Sequence, residues 1–349
     1  MRDMSELARS MPCTIAFPHA LGTGLIIHTN RPVEEDDRDA VGRLIEDYER
    51  TLSRFREDSL VAAIGRAEHG GSFDLPDWTI PLLDLYDALH EATGGALDPC
   101  VGEDLTRLGY DARYTFRMSA DAHGRLGAIH GRAVWRNDIE RHGSTLTTRR
   151  PIRLDFGACG KGHLVDLIAD RLGHTRTPSN MRMVIDAGGD LYVRSDEPIT
   201  IGMEDPRDDT RAIGTITMRH GSCCASAPSR RHWSIAAERE VHHLVNAIDG
   251  RPVEEVAAAW VTADEGEATS GASAGPATGP SSGQGDGAAI MPASAPAWGA
   301  AALADGLATA LFVTAPERLA RRFAFECAVL RADRTLLVSR GFPGAPFVQ

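Results

Sequence analysis

Apolar Ile152, Leu154 and Phe156 alternate with charged Arg153 and Asp155. A period of two predicts a half-buried strand. Gly157, Gly160 and Gly162 follow, then Leu164, Val165, Ile168 and Leu172 recur at helical spacing. The stretch 154–166 therefore reads as strand, glycine-rich turn and helix. Upstream, residues 14–17 and 24–28 predict two strands. An acidic run at 34–37 precedes Val41, Leu44, Ile45, Tyr48 and Leu52, as acids precede the apolar face of a helix. A second helix starts near Pro81 with Leu82, Leu85, Tyr86 and Leu89 on one face, and Gly94-Gly95 stops it. Residues 110–148 are polar and irregular, with one strand expected near 134–139. Further strands are predicted at 183–186, 191–194, 199–203, 213–218 and 241–245, and another begins at 260–262. A helix through Leu303, Leu307, Ala310 and Leu311, a short one at 316–323 and strands at 328–330 and 336–339 close the chain. Strands and helices without a βαβ rhythm indicate an α+β fold: a mixed, mainly antiparallel sheet with flanking helices.

This rhythm breaks once. Residues 264–289 hold nothing apolar larger than alanine apart from proline, and Gly, Ser, Ala, Pro and Thr dominate. Such a segment buries too little surface to offset its ordering entropy and reads as a disordered insertion. The expected organisation is a flexible lead-in at 1–13, the first part of one domain at 14–263, the insertion at 264–297 and the rest of the domain at 298–349.

Charge and cysteine usage then narrow the function. The formal net charge of −12 argues against a nucleic-acid groove. The 6 cysteines form no CxxC pair, so neither zinc nor a disulfide scaffold is expected. No apolar run approaches the ~20 residues of a membrane span, and the first residues lack a signal-peptide core. A soluble cytoplasmic protein is the expectation; whether it forms a homodimer stays open.

Three places carry candidate chemistry. At 154–166, Asp155, a flexible backbone and Lys161 meet at a helix N-terminus, which suits a phosphate or a metal–phosphate pair, although a plain strand–turn–helix connection fits the same residues. Gly188 and Gly189 lie between Asp186 and Asp190, as a backbone near a ligand or as a simple hairpin turn. Asp305 and Thr309 sit four apart on one helical face and offer two hard oxygen donors suited to Mg2+, or are a helix residue and a packed threonine.

Taken in order, these motifs resemble the ApbE-type FAD:protein FMN transferase family. Ala20-Leu21-Gly22-Thr23 is similar to its A-M-G-T, and Ser53-Arg54-Phe55 with Asp58-Ser59-Leu60 to its S-x-F/Y…S-x-L/I. Residues 93–99 resemble T-x-G-A-F-D-P, and 154–166 resemble D-L-G-G/A-x-x-K-G-x-x-x-D. Residues 186–190 resemble N-A-G-G-D, 243–252 resemble H-I-I-D-P-x-T-G-x-P, and 304–311 resemble A-D-A-L-A-T-A-L. Departures are Leu97 for phenylalanine, Ala247 for proline, Asp249 for threonine, and Ala227-Pro228 where T-S-G usually stands.

The resemblance implies FAD as substrate and bound Mg2+. It implies metal ligation by the Ala158 carbonyl, Asp305 and Thr309. Asp155 and Lys161 would lie against FAD, Ala96, Leu97 and Asp98 at its adenine end or the nearby ribose, and His243 at the general-base position. The implied partner is a flavin-accepting protein with a Thr or Ser hydroxyl. Two other outcomes use the same site: a Mg2+-dependent FAD pyrophosphatase yielding FMN and AMP, or a non-catalytic FAD-binding or delivery protein. An interaction protein that recruits partners through the insertion is the alternative of another class.

Overall fold

The computed structural model describes residues 4–173, 181–235, 239–264 and 298–347. Its centre is a nine-stranded sheet: β1 (Cys13–Phe17), β2 (Leu25–Thr29), β3 (Met183–Asp186), β4 (Leu191–Asp205), β5 (Asp208–Ser226), β6 (Val256–Ala263), β7 (Glu326–Arg331), β8 (Leu336–Val338) and β9 (Gly344–Pro346). They lie in the order β1-β2-β3-β4-β5-β6-β7-β8, with β9 on β5, and every pairing is antiparallel.

Alternation along the strands sorts the core into two layers, because successive side chains leave opposite faces. Met183, Ile185, Tyr192, Cys224, Val261 and Val329 pack on the helical side. Val184, Val193, Cys223, Trp260 and Leu330 pack on the other. The helical side carries α1 (Glu35–Leu52), α2 (Ile80–Thr93), α3 (Gly160–Gly173) and α4 (Ala300–Ala310). In α1 the predicted face is the buried one, through Val41, Ile45, Tyr48 and Leu52. Each such side chain contributes ~1.5–3 kcal/mol of burial. Gly94, at φ 67°, closes α2 in the left-handed conformation that favours glycine. One core cluster joins residues from 20–263 with residues from 298–329.

Several expectations change. Residues 152–156 keep their alternation, with Ile152, Leu154 and Phe156 buried, but they join no sheet; the Asp155 N–H bonds the Pro99 carbonyl at 2.7 Å instead. The strand expected at 134–139 is a helical turn, Trp135–Asp138, before a strand at Ile139–His142. Carboxylates intercept its N–H groups: Asp138 takes that of Val134 at 2.8 Å and Asp98 that of Trp135 at 3.1 Å. The strands expected at 191–194 and 199–203 are one long strand, β4, across a register shift between Arg194 and Ile199. The strand expected at 241–245 is broken after His242 and resumes as Val245–Asn246. Within the expected flexible lead-in, Met4–Ser10 form a helix, and Leu7 and Met11 are buried against the sheet. The expected insertion lies outside the described residues, Asp264 apart. Among the described residues no helix is long and apolar enough to cross a membrane.

Candidate active site

The site forms where α3 and α4 cross. Gly162 makes the crossing: a Cβ there would sit 2.1 Å from the Ala301 carbonyl oxygen, so any side chain would push the helices apart. The close approach lets the Gly162 N–H donate to Asp305 Oδ2 at 3.0 Å. Lys161 Nζ lies 3.2 Å from Asp305 Oδ1 and is gripped by Asp190 Oδ2. Both carboxylates are almost fully buried, with side chains 2% and 1% exposed. Burial and then the Asp190 charge push the Asp305 carboxyl up, against Lys161 and the Gly162 N–H. Burial opposes the Lys161 charge, yet Asp190 and Asp305 outweigh it and hold the ammonium above its ordinary value. The other Asp190 oxygen, Oδ1, is buried with no hydrogen-bond partner among the described residues.

The motif residue Asp166 acts on α4 from one turn further along α3. Its carboxylate accepts the N–H groups of Ala301 at 2.9 Å and Ala302 at 2.8 Å. It thus caps the helix bearing Asp305, where carboxylates favour exposed N–H groups and the dipole. One helical turn after Asp305, Thr309 Oγ1 lies 3.3 Å from Ser226 Oγ. Burial, and next the Asp305 charge, raise the Cys159 thiol, so the turn carrying half-buried Ala158 lies within reach of Asp305's field.

Asp190 is delivered by the tight connection between β3 and β4. Gly188 and Gly189 have φ of 69° and 108°, conformations L side chains rarely take. A Cβ on Gly188 would also lie 2.9 Å from Thr23 Oγ1, so the A-L-G-T segment abuts this hairpin.

His243 sits in the break after His242. Its Nδ1 lies 3.1 Å from the Arg231 carbonyl oxygen. A carbonyl only accepts, so Nδ1 carries the proton and Nε2 keeps its lone pair. Burial pushes the ring's pKa down to about 4, against that hydrogen bond. Lys161 adds to the lowering and Asp155 opposes it, so His243 shares the electrostatic environment of the glycine-rich stretch.

Other candidate residues are committed to protein partners. Asp155 is held by Arg54 Nε and takes the Gly157 N–H at 2.7 Å. Arg54 lies over the Phe55 and Tyr110 rings at 4.2 and 4.7 Å. Asp98, 3% exposed, accepts the N–H groups of Cys100 at 2.7 Å and Trp135 at 3.1 Å. Ala96 and Leu97 are buried; the Ala96 carbonyl takes the Ala247 N–H at 2.9 Å, and the Leu97 N–H donates to Thr93 Oγ1 at 3.0 Å. The structure therefore gathers Lys161 and Asp305, with Thr309 a turn away, and adds three residues outside the expected site set: Asp190, Asp166 and Arg54. All three stand inside motifs read from the sequence, but their pairings span 29 to 136 positions, which no local pattern shows.

An antiparallel sheet backed by crossing helices, with buried oxygen donors around one lysine at their junction, defines an α+β protein with a site suited to phosphate or a hard cation. The chain belongs to the ApbE family, whose model matches residues 21–285. The ApbE protein of Thermotoga maritima shares the fold with TM-score 0.73 and 19% identity, over 94% of this chain and 97% of that one. The Pseudomonas stutzeri flavinyl transferase ApbE, in its apo form, gives 0.68 and 18%, over 94% and 95%. The Vibrio cholerae flavin transferase ApbE gives 0.68 and 17%, over 95% and 97%. No curated protein matches the chain in sequence.

Proposed function

We propose that this chain is an FAD:protein FMN transferase, moving FMN from FAD to a Ser or Thr hydroxyl of an acceptor protein and releasing AMP. Family membership and the flavin transferase relatives support the reading. The observation that carries it is His243: a neutral imidazole with Nδ1 spent on a backbone carbonyl, Nε2 without a hydrogen-bond partner among the described residues and so open as a base, and Lys161 and Asp155 in its field. In the reaction, the acceptor oxygen bonds to the FMN-side phosphorus of the FAD pyrophosphate. The bond from that phosphorus to the bridging oxygen breaks, AMP leaves, and the hydroxyl proton passes to His243 Nε2.

Among the described residues no three His, Cys, Asp or Glu side chains are grouped to hold a metal. The proposed Mg2+ ligands are instead the Ala158 carbonyl, Asp305 and Thr309. They fit a hard cation: every donor is oxygen, and the unpartnered Asp190 Oδ1 leaves negative charge in the same cluster unanswered. Bound there, the cation would neutralise pyrophosphate charge and favour the departing AMP. The remaining work belongs to the chain. Lys161, fixed between Asp190 and Asp305, offers positive charge to phosphate oxygens. The backbone at Gly188 and Gly189 allows a close approach of the cofactor. Asp98 acts through the 96–98 backbone, which its hydrogen bonds fix, and Asp155 through the turn that it and Arg54 hold.

A fluorescence titration of FAD with and without Mg2+, repeated with Asp305→Ala, tests this site. The expected result is Mg2+-dependent binding weakened by the substitution. Equal affinity with and without the metal would contradict the assignment.

A further inference from the structure

Away from the α3–α4 junction, the helix Leu60–Arg66 with Gly102, Thr106, Ala112, Arg153 and Leu154 lines a half-open cavity of about 260 Å3. Its wall carries Arg54, Arg56, Arg66 and Arg153, against a single acid, Glu57. That is a concentration of positive charge in a chain of net charge −12. Arg56 is neutralised by Glu46 and Asp58, at 3.1 and 2.9 Å. Arg66 and Arg153 are exposed and have no carboxylate partner among the described residues. Arg54 is different again. Its side chain is only 9% exposed, Asp155 holds Nε, the Tyr110 carbonyl holds Nη1 at 2.6 Å, and Nη2 is buried with no hydrogen-bond partner among the described residues.

We propose that this cavity is a second, anion-binding site that takes a phosphate group. The unpaired guanidinium groups of Arg66 and Arg153 line it and can meet phosphate oxygens through charge-assisted hydrogen bonds, with the charge of Arg54 behind them. The volume lies just below the ~300–1,000 Å3 of pockets that enclose drug-sized ligands, so it suits phosphate or the phosphate end of a mononucleotide. The inference rests on the cavity and holds whether or not the chain transfers FMN. Arg54 joins the two regions, since the guanidinium lining the cavity also holds Asp155.

The test is calorimetric titration of the full chain with inorganic phosphate, and separately with AMP, at ~0.15 M salt, where loose surface attraction is screened. Saturable binding of phosphate is expected. Arg66→Ser should weaken it, and Arg66→Ser with Arg153→Ser by about tenfold or more. Both residues are exposed, so thermal unfolding of the variants should match the parent chain. AMP binding no tighter than phosphate assigns the site to the phosphate group alone; tighter AMP, lost in the double variant, assigns it to a mononucleotide. Binding that does not saturate, or that the double variant leaves unchanged, overturns the proposal.

Discussion

Asp166 should govern both the stability of α4 and the placement of Asp305. Asp166→Ala removes two charge-assisted hydrogen bonds, to the Ala301 and Ala302 N–H groups. A lost cap costs ~0.5–2 kcal/mol and the helix-dipole attraction adds ~0.3–1, together ~0.8–3; with two charge-assisted bonds lost the upper part, about 2–3 kcal/mol, applies here. At a urea slope of ~3 kcal/mol/M, a loss of about 2.5 kcal/mol moves the unfolding midpoint down by about 0.8 M. Gly299 supplies a second arm. Its backbone, at φ −77°, accepts any residue, but a Cβ there would lie 2.1 Å from Asp166 Cγ. Gly299→Ala must therefore displace the capping carboxylate and should cost about as much as Asp166→Ala, by the same lost bonds. In the Asp166→Ala background the obstruction is gone, so the second substitution should add little, a coupling of ~2 kcal/mol in a double-mutant cycle. Urea unfolding of the four proteins measures it. Additive losses, or an Asp166→Ala midpoint equal to the parent's, would refute the reasoning.

His243→Ala should lower the transfer rate ~10²–10⁴-fold with FAD affinity little changed, and a rate matching the parent's would remove His243 as the base. With this pKa down at about 4, the parent's rate should stay level as pH falls to about 5, as an acid-limb profile checks. Stability has a matching signature through buried His163, whose pKa burial also lowers to about 4. The unfolded chain binds that proton first, so stability should fall as pH drops from ~6.5 to ~4, by at most ~3 kcal/mol, and His163→Gln should flatten the slope in urea unfolding. Lys161→Met leaves Asp190 and Asp305 buried together; a loss of ~3–5 kcal/mol is expected at neutral pH. Burial and the Asp190 charge already push the Asp305 carboxyl up, and losing Lys161 removes what opposes them, so the loss should shrink at low pH and grow as pH rises; unfolding at two pH values checks the sign. Ala247→Pro, which restores the family's residue, should destabilise by ~1–3 kcal/mol, because the Ala247 N–H is spent on the Ala96 carbonyl; a raised melting temperature would contradict this.

Much of the fold was legible because burial imposes its period on the chain. The unbroken apolar run Met183-Val184-Ile185 marks a strand buried on both faces, and the helical face of Val41, Ile45, Tyr48 and Leu52 marks an element that buries one side. Period alone misled at 152–156, where the apolar side is buried but the backbone faces a loop, and at 134–139, where Asp98 and Asp138 take N–H groups that a ladder would have used. The motifs located Lys161, Asp305 and Thr309. They also contain Asp190 and Arg54, but not the facts that Asp190 pairs with Lys161 and that Arg54 holds Asp155. Such pairings depend on which helices cross and where a hairpin ends, and only the folded chain fixes those. Ala247 shows the same limit: the sequence marks it only as a departure from a motif, whereas in the fold its N–H has a partner.

The central claim is group transfer, and it is tested most directly by incubating the chain with FAD, Mg2+ and a Ser- or Thr-bearing acceptor protein, then measuring AMP and the acceptor's intact mass together. The account predicts that AMP appears in step with acceptor that has gained FMN, and that His243→Ala stops both. AMP without flavinylated acceptor would show water taking the acceptor's place, and no AMP at all would show a binding protein; either result contradicts the proposed transfer.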